Sequence, residues 1–451
     1  MCVKGALLQI PDPIRASATG SRRTLGLLIL VGLFNYMDRQ SISILQVPIK
    51  NDLHLSDTAL GAIVGLSFSM VYTLMAIPIA RLADHTSRKL VIALCLGVWS
   101  LFTSACSLAV GFWSLALLRM GVAIGEAGCV PASQAIISNA YPLHRRATAL
   151  ATWQIVFPLG TLVGIAASGW LSVFIGWREA FAILGIVGLA LVPVILLWLP
   201  EPPGAQTAAH PQASTPPFIE SMRQLWSSPS FRHITYAGAL TVYPLNAALN
   251  WSAPYYSRMF GLSMGELSLY LGLLAGGAGA VGVYAGGFIA DRLGRRDLRW
   301  YGWVPAIASL GAAPLMVTQY LMTDAYLSLI VGIAPIAFMY SVLPAQAAAA
   351  QAVVNPRLRA LAAGVVVFFA GMIGTALGPF VTGLVSDSLA SRFHLGPQSL
   401  RYAIASSSLL ALLGAWHFFR AAQHLPGEVP ARRSGKSTGD LDASSLSESS
   451  C

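Results

Sequence analysis

Gly287-Phe-Ile-Ala-Asp291-Arg292-Leu-Gly294-Arg295-Arg296 joins two long apolar segments. A worn copy of the same ten residues, Ala80-Arg-Leu-Ala-Asp84-His85-Thr-Ser87-Arg88-Lys89, does so earlier in the chain. Asp84 and Asp291 lie 207 residues apart, close to half of the 451-residue chain. Self-similarity at such an offset is the mark of a duplicated architecture. Hydrophobic residues make up 55% of the chain and charged residues 10%, against about a quarter charged in a domain made for water. The duplicated units are therefore written for a bilayer. Twelve apolar segments between residues 24 and 420 reach or approach the roughly 20 residues that span the hydrocarbon.

The net charge of +10 invites a nucleic-acid partner, but its placement follows membrane topology instead. Lys4, Arg15, Arg22 and Arg23, then Arg81, Arg88 and Lys89, then Arg145 and Arg146, then Arg292, Arg295, Arg296 and Arg299 all fall on one side of the spans. This positive-inside bias puts both termini in the cytoplasm. The expected fold is an all-α integral membrane protein with twelve transmembrane helices in two pseudo-symmetric six-helix bundles. Residues 1–23 read as a polar tail without a cleavable signal. Residues 24–199 form the first bundle, 200–231 a Pro-rich cytoplasmic linker, 232–421 the second bundle and 422–451 a disordered tail. Gly272, Gly276, Gly279, Gly282 and Gly286 allow close helix contact. The five cysteines are scattered without metal-type spacing, so no metal is expected.

Four ionisable residues lie deep within spans: Asp38 and Arg39 on the first, Arg119 and Glu126 on the fourth. A charge there costs at least about 2.5 kcal/mol and marks a pathway or a proton relay. Asp38 and Arg119 each sit about seven residues, or roughly 10 Å, from the outer boundary, so they are at matching depth. Arg119 and Glu126 are two helical turns apart and share a face. Asp38 is expected to pair with Arg119, while Arg39, turned about 100° from Asp38, reaches toward Glu126. Moving an arginine to or from a carboxylate changes its affinity for protons, which would make the quartet a coupling device. A fixed structural salt-bridge network is the competing reading.

The second half contributes no comparable charge. Its seventh span offers Tyr243, Asn246, Asn250 and Trp251, and later spans add Tyr340 and Phe368. With Asn35, Tyr36, Trp153 and Gln154 of the first half they would make an amide and aromatic wall for an amphipathic substrate. Interhelical hydrogen bonding explains the same residues without a substrate. Pro131 and Pro158 mark expected kinks.

The duplicated loops, the two halves and the central linker together resemble the major facilitator superfamily. Within it, Asn35-Tyr36-Met37-Asp38-Arg39 and Arg119-Met-Gly-Val-Ala-Ile-Gly125-Glu126-Ala127 look like the spinster-like transporters, as do Phe157-Pro158-Leu159-Gly160 and Gly176-Trp177-Arg178-Glu179-Ala180-Phe181. The Asn-Tyr-x-Asp-Arg phrase also occurs in the superfamily's organic-anion symporters. The resemblance implies alternating access, in which Asp84, Arg88, Gly287, Asp291, Arg292, Gly294 and Arg295 tie the halves together on the cytoplasmic side of the outward-facing state. It further implies a monomer in the cell's inner (plasma) membrane with a small-molecule substrate, the proton gradient as energy source and no other cofactor. The spinster likeness points to export of a lipid-like or amphipathic cargo. Proton-coupled uptake of a small organic anion held by Arg39 and Arg119 is the alternative, and a non-transporting sensor the third reading. No nucleophile motif or metal-spaced histidine cluster supports an enzyme.

Overall fold

The structure, a computed structural model, describes residues 18–141, 143–200, 217–355 and 358–428. Among these residues there is no strand. The chain runs as α1 (Ala18–Leu53), α2 (Asp57–Ala83), α3 (Arg88–Leu108), α4 (Phe112–Ala140), α5 (Thr148–Ile175) and α6 (Trp177–Trp198). It continues as α7 (Phe218–Ser227), α8 (Pro229–Phe260), α9 (Met264–Gly294), α10 (Trp300–Leu321), α11 (Ala325–Ala352), α12 (Leu361–Phe393) and α13 (Gln398–Glu428). Ten of these helices are long and apolar enough to cross a membrane.

Two long helices, α1 with 36 residues and α8 with 32, are not among the ten. At 1.5 Å per residue each exceeds the roughly 30 Å of a hydrocarbon core. Their low apolarity comes from polar residues turned into the protein. Asn35, Asp38, Ser41, Ser43 and Gln46 of α1 and Thr235, Thr241, Asn250 and Ser252 of α8 are all buried. A polar residue costs little in a membrane helix when protein groups, not lipid, surround it.

Local chemistry sets the ends. Ser56 caps α2 by accepting from the Ala59 N–H at 3.1 Å, and Ser228 caps α8 by accepting from the Phe231 N–H at 3.0 Å, with Pro229 in the first turn. Gly261 ends α8 in the left-handed region, φ 66°, which glycine adopts without strain. Helix α4 breaks at Ala127–Gly128 and α5 at Gln154–Ile155. Each break begins four residues before a proline, Pro131 or Pro158, whose missing N–H and ring disrupt the bond to that carbonyl.

Three boundaries differ from the sequence reading. Helix α1 begins at Ala18, inside the expected tail 1–23. Within the expected linker 200–231, residues 201–216 fall outside the described ones, but α7 occupies 218–227. Its Trp226 packs against the rings of Phe231, Tyr236 and Phe369. Helix α13 runs to Glu428, into the expected tail 422–451. There the Glu428 carboxylate accepts from Ser228 and, at 3.1 Å, from the Ser230 N–H. Covering the orphan N–H groups at the start of α8 gives residues 422–428 a reason to stay helical.

Candidate functional site: paired charges between α1 and α4

Asp38 and Arg119 face each other with 3.5 Å between Oδ2 and Nη1, and both are sealed from solvent. Thr103 of α3 donates to the other Asp38 oxygen at 2.7 Å. Arg39 donates to Glu126 Oε2 from Nε at 3.1 Å and from Nη2 at 2.8 Å. Here the arginine's length bridges the difference in depth. The Glu126 side chain is fully buried, whereas that of Arg39 is 21% exposed. The two pairs are therefore unlike: one is closed off, and the other has a single member that reaches an accessible surface.

Aromatic rings surround the arginines. The Arg39 guanidinium lies 5.2 Å from the Tyr36 ring centre, 5.1 Å from Phe68 and 4.4 Å from Tyr72. Tyr36 is held in turn by Phe157, 4.3 Å between ring centres. Asn35, one turn before Arg39, is completely buried, and its amide has no hydrogen-bond partner among the described residues. Glu126 is the last residue before the break in α4, so the carboxylate sits where the helical hydrogen bonding is interrupted.

Apart from Asn35 and Tyr36, the proposed cavity residues are not gathered in this way. Trp153 is fully buried and donates Nε1–H to the Leu28 carbonyl at 3.2 Å, while its neighbour Gln154 is exposed. Asn246 and Asn250 donate to carbonyls of their own helix, Val242 at 3.0 Å and Asn246 at 2.9 Å. Trp251 is buried and donates to the Pro379 carbonyl at 2.9 Å. Tyr243 is buried, Tyr340 packs on Gly279, and Phe368 is exposed beside Phe369. The two tryptophans thus tie helices together, as the interhelical hydrogen-bonding alternative expects.

A second polar cluster escaped the sequence reading. Asp57, at the start of α2, is buried and accepts from Arg258 of α8 at 2.7 and 2.6 Å and from Ser386 of α12 at 2.8 Å. Lys50 of α1 completes its ion pairing. Asp387 accepts from the Asp57 N–H at 3.2 Å, from the Thr58 N–H at 2.7 Å and from the Thr58 hydroxyl at 2.6 Å. Nearby, Gln46 donates to the Asn250 carbonyl at 2.8 Å. These contacts latch the first half to the second at one end of the molecule. The available signal was an acidic residue at a span end facing the few basic residues, such as Lys50 and Arg258, outside the positive-inside set.

At the opposite end stand the signature loops. Asp291 is exposed and accepts from Tyr301 of its own half at 3.1 Å, while Arg292 and Arg295 are exposed and Gly294 is buried under Tyr301. Gly287 lies one helical turn before Asp291, near Pro344. The Asp84 side chain lies outside the described ones, and Arg88 is half-buried. Ser87, which replaces a glycine of the motif, caps α3 by accepting from the Leu90 N–H at 3.2 Å.

Long apolar helices, charges paired at depth and a polar latch between the halves define a multi-pass membrane transporter, not an enzyme. The family model for the Major Facilitator Superfamily matches residues 28–379, and the chain belongs to this superfamily. It is 35% identical over 417 residues to an MFS-type efflux pump of Mycolicibacterium smegmatis, covering 90% of this chain and 95% of that one. It is 25% identical over 422 residues to protein spinster homolog 1 of Xenopus tropicalis, covering 88% and 79%. The crystal structure of a bacterial homologue of the human lysosomal transporter Spinster, inward-facing and unoccupied, superimposes with a TM-score of 0.84. That match has 26% identity and covers 92% of this chain and all of the other. Within the superfamily the chain is spinster-like.

Proposed function

We propose that this chain is a proton-coupled secondary transporter that exports a lipid-like or amphipathic small molecule by alternating access. The observation that carries the reading is the buried Glu126 carboxylate bonded to Arg39, the one member of the quartet open to an accessible surface. A carboxylate so placed exchanges its proton only when the arginine moves, and so ties protonation to conformation. Export is favoured by the similarity to an efflux pump.

On this reading the chain has twelve spans, α1 and α8 being the two polar-lined ones, with both termini in the cytoplasm. It works as a monomer in the plasma membrane. The Asp57 latch then closes the outer end, the signature loops stand apart at the inner end, and the molecule is inward-facing.

The test uses proteoliposomes loaded with a pH-sensitive dye and offered lysolipids, bile-salt-like amphipaths, sugars and organic acids in turn. An amphipath is expected to move protons across the membrane. Proton movement with organic acids alone would replace export by organic-anion uptake. A saturable substrate flux without proton movement would remove the coupling.

A further inference from the structure

Phe68 carries no charge and lies in an apolar run, yet its ring reaches both ion pairs. The guanidinium carbons of Arg39 and Arg119 each stand 5.1 Å from its centre, and the residue is buried. Tyr72, stacked on Phe68 at 5.9 Å, and Tyr36 complete a box around Arg39. Aromatic faces attract a guanidinium electrostatically, most strongly where water is excluded. The box therefore holds the charge of Arg39 when Glu126 is neutral, and the carboxylate need not stay ionised to keep the arginine in place.

The backbone around Phe68 is just as telling. Phe68 follows directly on a π-helical turn, Ala62–Ser67, a geometry frequent at functional sites. This turn and the residue before it meet α12 of the other half backbone to backbone. A Cβ on Gly61 would come within 2.5 Å of the Pro379 carbonyl oxygen, and one on Gly65 would clash with the Ala376 carbonyl. Helix α12 carries its own π-helical turn there, Ala370–Ala376. The second half thus presses on the segment whose next residue touches both arginines.

We propose that Phe68 is the positioning residue that passes movement between the halves to both ion pairs. When α2 shifts against α12, the ring shifts against Arg39 and Arg119 together, and the hold of each arginine on its carboxylate changes. This inference rests on the proton-coupling reading of the same site. The ionisable groups that act on Glu126 are Asp38, Arg39 and Tyr36 of α1 and Arg119 and Cys129 of α4, with Tyr72 of α2 beside Tyr36 and Arg39 and Cys95 of α3 beside Cys129.

The test reads conformation and needs no substrate. Spin labels at Leu108→Cys and Phe393→Cys, both exposed at outer helix ends, report the distance between the halves in nanodiscs as pH varies, with Cys2 and Cys451 replaced by Ser. The parent protein is expected to change distance with pH. In Phe68→Leu the arginine leans on Glu126 for want of the ring, so the midpoint falls by about one pH unit. Phe68→Tyr keeps the ring and should restore it. Phe68→Met serves the same purpose if the leucine variant is not monodisperse. An unchanged midpoint in Phe68→Leu or Phe68→Met, even with lower thermal stability, makes Phe68 a packing residue and overturns the inference while the coupling stands. A parent distance that ignores pH overturns the coupling itself, and the role of Phe68 with it.

Discussion

Helices α1 and α8 open the two halves of a duplicated chain, and they bury different chemistry. Helix α1 brings Asp38 and Arg39 to partners on α4, leaving groups whose pairing changes if a proton arrives. Helix α8 buries Thr241, Asn250, Trp251 and Ser252, each bonded to a carbonyl or hydroxyl and none ionisable in the working range. Among these buried groups one half has kept titratable ones and the other fixed ones, the second half's His233 and His417 being only part-buried. Duplication supplied the frame, and the division of labour lies in which helix carries charge.

The largest effect in breaking this contrast is expected on the charged side. Arg119→Ala leaves Asp38 buried without its counter-ion, a loss of about 3–5 kcal/mol. Thermal unfolding in detergent should show it as a collapse in yield or melting temperature. The double variant Asp38→Asn with Arg119→Met should recover most of the stability but not the pH response. A stable Arg119→Ala single variant would show that the pair is slack.

Next comes the latch that joins the halves. Asp57→Asn removes the charge shared by Arg258 and Lys50 and is expected to shift the balance of the two conformations by about 2 kcal/mol, roughly thirtyfold. The distance between labels at Leu108 and Phe393 should lengthen. Asp291→Asn should leave that distance alone, because Asp291 is exposed and bonded within its own half. Smallest is the uncharged side, where Trp251→Phe removes one buried hydrogen bond to Pro379. A loss of about 1 kcal/mol in stability is expected, with no change in the pH profile.

How far these features were legible in the sequence follows from the cost of each. A charge in a membrane span is expensive, so Asp38, Arg39, Arg119 and Glu126 stand out in any apolar run, and helix geometry alone suggests their pairing. Asp57 lies at a span end, where charge is ordinary, and only the fold brings it to Arg258. Phe68 has no compositional signal at all, being one apolar residue among many on α2. The tryptophans stayed open to two readings for the opposite reason. An aromatic residue in a span suits a substrate wall and helix packing equally, and the indole N–H groups of Trp153 and Trp251 were already taken by backbone carbonyls. The boundaries of α1, α7 and α13 escaped because their polar ends are held by partners distant in sequence, such as Glu428 with Ser228.

Dye-loaded proteoliposomes of the Glu126→Gln variant put the coupling to the most direct test. Glutamine keeps the shape of the side chain and a hydrogen bond to Arg39 but cannot ionise. With an amphipath that drives proton movement in the parent protein, the variant should still exchange substrate across the membrane, and its proton movement should fall to the level of empty liposomes. Proton movement equal to the parent's, with the same pH dependence, would contradict the assignment and leave the quartet a fixed salt-bridge network.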